Sequence, residues 1–202
     1  MEITIRNAAE QDYFTTENLT REAFWNVCKP GADEHLVLHN LRSCPSYINE
    51  LDLVALHNHQ IVGHIISTKA TVVDAQNKEY EVLCLGPIAV EPLLQKQGIG
   101  VALMEESIAK ARKMGFAGMI LYGNPNYYHR FGFRNAEVYG ITTKDGQNFD
   151  PFMALELQSN GLAHVTGKFF EDSAFEVNPE ELEIFEQKFP PKKKEKTATQ
   201  LQ

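Results

Sequence analysis

The residues best placed to do chemistry are two glycines. Gln95-Lys-Gln-Gly98-Ile-Gly100 sits between an apolar run, Leu83-Cys-Leu-Gly-Pro-Ile-Ala-Val90, and a long segment of helical periodicity. Glycine at 98 and 100 leaves no Cβ between the backbone and an approaching ligand. The first amides of a helix have no intrahelical acceptors, and the helix dipole favours an anion there. A strand, a loop and a glycine-opened helix therefore make a pyrophosphate cradle. Three nucleotide-site templates compete for it. A P-loop needs Lys-Ser/Thr directly after the second glycine, where Val101-Ala102 stands. A dinucleotide fingerprint needs a small residue at its sixth position, where Leu103 stands. Gln-x-x-Gly-x-Gly is the pattern that fits.

A second cluster follows one helix and one strand later: Tyr122-Gly-Asn-Pro-Asn-Tyr-Tyr-His-Arg-Phe-Gly-Phe133. Gln-x-x-Gly-x-Gly after a strand ending in Ala-Val, then Tyr128 spaced from Gly132-Phe133 as Tyr-x-x-x-Gly-Phe, resembles the GNAT N-acetyltransferase superfamily. The longer form Asn-Pro-x-Tyr-Tyr-x-Arg-Phe-Gly-Phe is similar to a bacterial subgroup of predicted acetyltransferases within it. Ile61-Val-Gly-His-Ile65, Val165-x-Gly167 and Ala174-Phe175 extend the resemblance more weakly, so that it covers about residues 3–175.

The resemblance implies an α/β (α+β) fold, with a central, mostly antiparallel mixed sheet that splays at the acyl-CoA site and is flanked by helices. It implies acetyl-CoA as cofactor, no metal, and transfer of the acetyl group to a primary amine by direct attack. Pantetheine would pair with the open edge at Ile88 and Val90 as an added strand, and an amide near Ala89 or Val90 would polarise the thioester carbonyl. Amides of Gln97, Gly98, Ile99, Gly100 and Val101 would hold the pyrophosphate, with Gln95 and Lys96 beside it and Asn124 and Tyr128 on the facing loop. Tyr128 takes the role of general acid toward the departing thiolate, and its reference pKa near ~10 suits that task. Some members of the family carry a glutamate as base six residues before the equivalent of Val90; here that place is Cys84. Glu79, Glu81, His64 or a chain of waters could replace it, with Glu81 as the working choice. The alternative function is an acyl-CoA-binding regulatory module of the same fold without turnover.

Several elements must position these groups. Met1–Arg6 alternates as a first strand. Residues 12–27 carry Phe14, Leu19, Ala23, Phe24 and Val27 at helical spacing, and a second helix after Gly31 buries Leu36, Leu38 and Leu41. Residues 51–56 and 61–73 read as strands joined by the turn His57–Gln60, and a third runs from Tyr80 to Val90. The helix from Gly98 to Met114 has Val101, Met104, Ile108 and Ala111 as its stripe and ends at Gly115. Residues 118–122 are a short buried strand, 124–130 a loop and short helix, and Phe131-Gly-Phe133 opens another extended segment. Phe152–Leu157 is a late strand, and residues 179–189 form a helix with Leu182, Phe185 and Phe189 on one side. The domain is expected over residues 1–177, followed over 178–202 by that helix and a basic, disordered tail.

Phe24, Trp25 and Tyr47 are candidates for the acceptor pocket, because the first helical region borders that pocket in the family. His35 and His39 have the i, i+4 spacing of a metal pair but lack a third ligand. Cys84 reads as packing rather than as a nucleophile.

A net charge of −8 and a pI near 5.4 argue against broad nucleic-acid binding and mildly favour a cationic acceptor, a small-molecule or protein amine. Hydrophobic residues make up 43% of the chain, enough for a packed core. Three scattered cysteines, Cys28, Cys44 and Cys84, point to a reducing cytoplasm rather than a disulfide framework. No apolar run approaches the roughly 20 residues of a bilayer span, so no membrane role is expected. The chain is expected to act as a monomer or homodimer.

Overall fold

A computed structural model describes residues 2–198 and Gln200. Among these described residues nine strands form one sheet. The strands β1 (Thr4–Asn7), β2 (Asp52–His57), β3 (Gln60–Val73) and β4 (Glu79–Val90) are successive antiparallel neighbours. The turn between β2 and β3 places Asn58 and His59 at φ of 48° and 63°, the mirror-image turn that matches strand twist. β5 (Gly118–Tyr122) lies parallel to β4, as a crossover helix requires, and continues to β8 (Phe152–Glu156) and β6 (Arg134–Asn135). β9 (Gly167–Phe170) joins the far end of β3 and carries β7 (Ile141–Thr142) beside it.

The crossover is α3 (Ile99–Lys113), which covers one face of the sheet with Leu103, Met104 and Ile108 over Leu53, Ile65, Leu83 and Leu121. Leu103 takes the place expected for Val101, which is only half-buried and faces a cavity instead. Gly63 permits this approach, since a Cβ there would come within 2.9 Å of both Ile99 and Leu103. The opposite face carries α1 (Tyr13–Phe24) and α2 (Glu34–Leu41), with Leu38 and Leu41 packed on Ile66.

Several expectations are corrected. The first helix stops at Phe24, because Trp25 is extended and Asn26 turns left-handed at φ 60°. Val27 is therefore outside it and exposed, and Phe14 is exposed too, stacked on Phe189 at 5.3 Å. Phe131-Gly132 opens no strand. It closes a single 3-10 turn, His129–Phe131, capped by Gly132 at φ 92°, after α4 (Pro125–Tyr128). The expected extended segment begins only after Phe133, as β6, while β7 and β9 gave no legible periodicity.

The final helix, α5 (Pro179–Glu186), lies against α1 and α2. Residues 192–197, expected to be a solvated tail, follow the end of α1: Trp25 Nε1 donates to the Lys193 carbonyl at 2.9 Å, and the Glu195 amide donates to Asn26 Oδ1 at 3.0 Å. Part of that expectation, at Thr199, Leu201 and Gln202, lies outside the described residues. No helix among the described residues is long and apolar enough to cross a membrane.

Candidate active site

The site arises where β4 and β5 part. They pair only at Leu83 with Met119 and Cys84 with Ile120, while β4 runs on to Val90. On its other side β4 stays paired with β3, but the register gains one residue on β4 between Leu85 and Ile88, a bulge at Gly86-Pro87. A bulge bends its strand and sharpens the local twist, and a proline has no amide to keep in a ladder. From Gly86 to Val90 the edge toward β5 is therefore unpaired. The Glu91 amide donates to the Val62 carbonyl at 2.9 Å, so by two-residue alternation the Ala89 amide also faces β3. The amides of Ile88 and Val90 face the opening. Ala89 does not line the opening, contrary to expectation, and its side chain is buried.

A cavity of about 1140 Å³ fills the wedge. At one end lies the glycine turn. Gly98 is the left-handed N-cap of α3, at φ 91°, and a Cβ built on it would meet nothing within 4 Å. A Cβ on Gly100 would come 2.9 Å from the Tyr127 hydroxyl and 3.6 Å from Val90. The turn is thus bare at Gly98 and approached at Gly100 by one movable phenol. Lys96 and Arg130, the basic residues lining the cavity, stand at this end, and Gln95 Nε2 donates to the Val90 carbonyl at 3.3 Å. Ile88, Val90, Gln95, Lys96, Gly98, Ile99, Gly100, Val101, Asn124 and Tyr128 all line the cavity; Gln97 does not.

α4 holds Tyr128 by a local device. Asn124 caps the helix, its Oδ1 accepting from the Asn126 amide at 3.0 Å, and Pro125 occupies the first turn, where no amide is needed. The Tyr128 ring lies edge-on to Tyr127 and Phe133, at 5.0 and 5.7 Å. It rests against Gly123, where a Cβ would fall 2.2 Å from Cε2. Burial, with a smaller contribution from Tyr127, pushes the phenol above its ordinary pKa, so it stays protonated at neutral pH.

The candidate bases fare differently. Glu81 is exposed, paired with Lys69 at 2.9 Å, and outside this cavity. It faces away from Cys84, as the odd spacing along the strand requires. Glu79, at the outer end of β4, does not line the cavity either. His64 is fully buried, with Nε2 2.7 Å from Asp52 Oδ1, in a network with Arg42 that does not reach the cavity. Burial lowers its pKa despite that carboxylate. Cys84 lines the cavity, and burial, then Glu171, raises its thiol well above the usual range, which keeps it un-ionised and poorly nucleophilic.

Of the three pocket candidates, only Phe24 lines the cavity. Trp25 turns toward the C-terminal segment, under the Arg21 guanidinium at 4.2 Å. Tyr47 turns inward, and its hydroxyl donates to Asp52 at 3.1 Å. Two carboxylates that the sequence analysis did not single out, Glu34 and Glu171, complete the cavity wall. Among the described residues no three His, Cys, Asp or Glu side chains gather as a metal site.

The sequence profile of the acetyltransferase (GNAT) family matches residues 10–133. The chain is 27% identical over 135 residues to the uncharacterised N-acetyltransferase YhbS of Escherichia coli strain K12, covering 66% of this chain and 78% of that one. The crystal structure of E. coli YhbS in complex with CoA superposes with a TM-score of 0.77 at 24% identity, over 87% of this chain and 92% of that one. A GNAT acetyltransferase of Brucella melitensis in complex with acetyl-CoA gives 0.71 at 27% identity, over 87% and 99%. The family match spans both the glycine turn and the Tyr128 loop, and it agrees with the splayed sheet: this chain belongs to the acetyltransferase (GNAT) family.

Proposed function

We propose that the wedge between β4 and β5 binds acetyl-CoA and that the protein transfers its acetyl group to an amine. The observation that carries this reading is the unpaired β4 edge, which leads straight to the bare turn at Gly98. Both features suit a ligand with an amide-bearing arm and a diphosphate, and the similar YhbS and B. melitensis structures hold CoA and acetyl-CoA. Amides of Ile88 and Val90 hold the arm. Those of Gly98 through Val101, with Lys96, hold the diphosphate. Acetyl-CoA supplies an activated acyl group with a thiolate leaving group.

This chain's residues do the rest. Of the two amides in the opening, that of Ile88 lies nearer Cys84, and it can donate to a carbonyl oxygen as negative charge builds there. Tyr128 carries its proton at neutral pH and donates toward the departing sulfur. Its raised pKa lies above that of an ordinary thiol, near ~8.5, so its hydrogen bond steadies the sulfur as it leaves instead of protonating it beforehand. Residues 2–177 hold all of these groups, and residues 178–198 brace α1 and α2. A reducing cytoplasm suits three unpaired cysteines.

Thiol release from acetyl-CoA across a panel of amines tests the reading. Wild type should release CoA thiol with at least one amine. Tyr128→Phe should lower kcat by about 10²-fold, within the usual range for loss of a general acid, with CoA affinity little changed. CoA binding without thiol release from any amine would favour a regulatory module instead.

A further inference from the structure

The end of the cavity away from the phosphates has its own chemistry. From Cys84 to Val90, β4 runs six residues, about 20 Å at strand rise. Gly98 and Gly100 stand beyond Val90, and Glu171 stands beside Cys84. Glu171 follows directly on β9. It lies two residues after Phe169 and so shares its face, and Phe169 is fully buried against Phe152 at 5.9 Å and Tyr122 at 6.4 Å. That alternation drives the carboxylate into the cavity wall.

Its Oε2 is buried and has no hydrogen-bond partner among the described residues. A carboxylate oxygen left this way is costly unless a ligand completes it. Of the four charged residues lining the cavity, Lys96 and Arg130 are at the phosphate end, and the other two, Glu171 and Glu34, are acidic. Around them stand Phe24, Val37 and Phe175, which offer apolar surface. The other titratable groups near Glu171 are Cys84 and Tyr122 in the cavity, Lys144 and Asp172 at its edge, and the Lys69–Glu81 pair across a small neighbouring pocket.

We propose that Glu171 binds the ammonium of the acceptor, which makes that acceptor a primary amine on an apolar stem, with no carboxylate beside its nitrogen. The proposal rests on the acetyl-transfer reading. A carboxylate beside that nitrogen would stand against Glu171, and like charges held close repel. Before attack one N–H bond of the ammonium breaks. The proton passes to Oε2 and on to solvent through the cavity mouth, and the electron pair stays on nitrogen to form the C–N bond as the C–S bond breaks. Nitrogen's second proton leaves to solvent, and the thiolate, hydrogen-bonded to Tyr128 as it departs, takes its proton from solvent. The sum is one amide, one CoA thiol and one proton released.

The test uses the full chain and two readouts. In the first, phenethylamine and phenylalanine are titrated calorimetrically into protein saturated with CoA, where no turnover occurs. Phenethylamine should bind at least tenfold tighter than phenylalanine. Glu171→Gln should weaken it at least tenfold with CoA affinity unchanged, and Glu171→Asp should recover part of the loss. In the second, kcat/KM for phenethylamine acetylation should fall at least tenfold in Glu171→Gln and be partly recovered in Glu171→Asp. Retained CoA binding certifies that the variants are folded. Unchanged amine affinity in Glu171→Gln, or phenylalanine binding as tightly as phenethylamine, would overturn the proposal. Failure of CoA to bind wild type would instead remove the acetyl-transfer reading, and the acceptor assignment with it.

Discussion

Tyr128 owes its position to an absent side chain. Its ring lies where a Cβ on Gly123 would sit, 2.2 Å from Cε2 and 2.8 Å from Cδ2. Gly123→Ala must therefore push the phenol aside, since the ring is the part free to move. Displacing a reacting group by about 1 Å typically costs on the order of 10²-fold in rate. The expected result is a kcat lowered by about that factor, with acetyl-CoA affinity nearly intact, because the glycine turn at Gly98 is untouched. Steady-state kinetics beside a CoA titration would check it, and an unchanged kcat would show that the ring position does not matter. Gly98 is the converse case. Nothing crowds it, and its left-handed φ of 91° is what requires glycine.

At the scale of elements, α5 is fastened to α1 through a buried charge. Arg21 is 1% exposed, and its Nε and Nη2 donate to Glu186 at 3.0 and 2.9 Å. Glu186 also lies 2.7 Å from His35 Nε2 on α2, so one carboxylate joins three helices. Replacing Glu186 leaves the buried Arg21 with its longer contacts to Glu22 at 3.3 Å and the Pro190 carbonyl at 3.2 Å, at a cost of about 3 kcal/mol. Glu186→Gln should lower Tm by about 6–12 °C for a chain of this size. The Lys69–Glu81 pair offers a control: both side chains are about half exposed, and Lys69→Ala should change stability by less than about 0.5 kcal/mol. Thermal melts of the two variants side by side would decide whether burial sets the difference. Because α1 and α2 line the acceptor end of the cavity through Phe24, Glu34 and Val37, this brace also holds that wall in place.

Over the whole molecule, buried histidines make stability depend on pH. Burial lowers the His35 pKa to about 4 against the pull of Glu186, and burial lowers that of His64 as well. Between pH 6.5 and about 4 the unfolded chain binds a proton at position 35 that the native protein does not. Stability is thus full above pH 6.5 and falls on acidification, by up to about 1.4 kcal/mol per pH unit for one such group. Asp52 is opposed by burial but held near about 2 by His64 and Arg42, so its contribution is lost only as pH drops from 3.8 toward 2. Urea midpoints at pH 7, 6 and 5 should decline in that order. Equal midpoints would mean that His35 is solvated in the native state.

The glycine turn, the order strand–loop–helix–strand, and the capped turn that carries Tyr128 were all legible in the chain, because each depends on neighbours a few residues apart. Helical and strand periodicities are equally local, and they placed β3, β4, α3 and α5 within a few residues. Tertiary structure alone decided which edge of β4 stays unpaired, since that depends on where β5 ends and where Gly86-Pro87 bulges. It also moved Glu81 out of consideration and brought in Glu171. Both are unremarkable acids in sequence, and only the pairing of β9 with β3, some 100 residues earlier in the chain, turns one of them into the cavity wall. Trp25 and Tyr47 failed as pocket residues for the same reason: an aromatic side chain takes whichever buried partner the fold supplies, and that choice is made across long separations that no local pattern records.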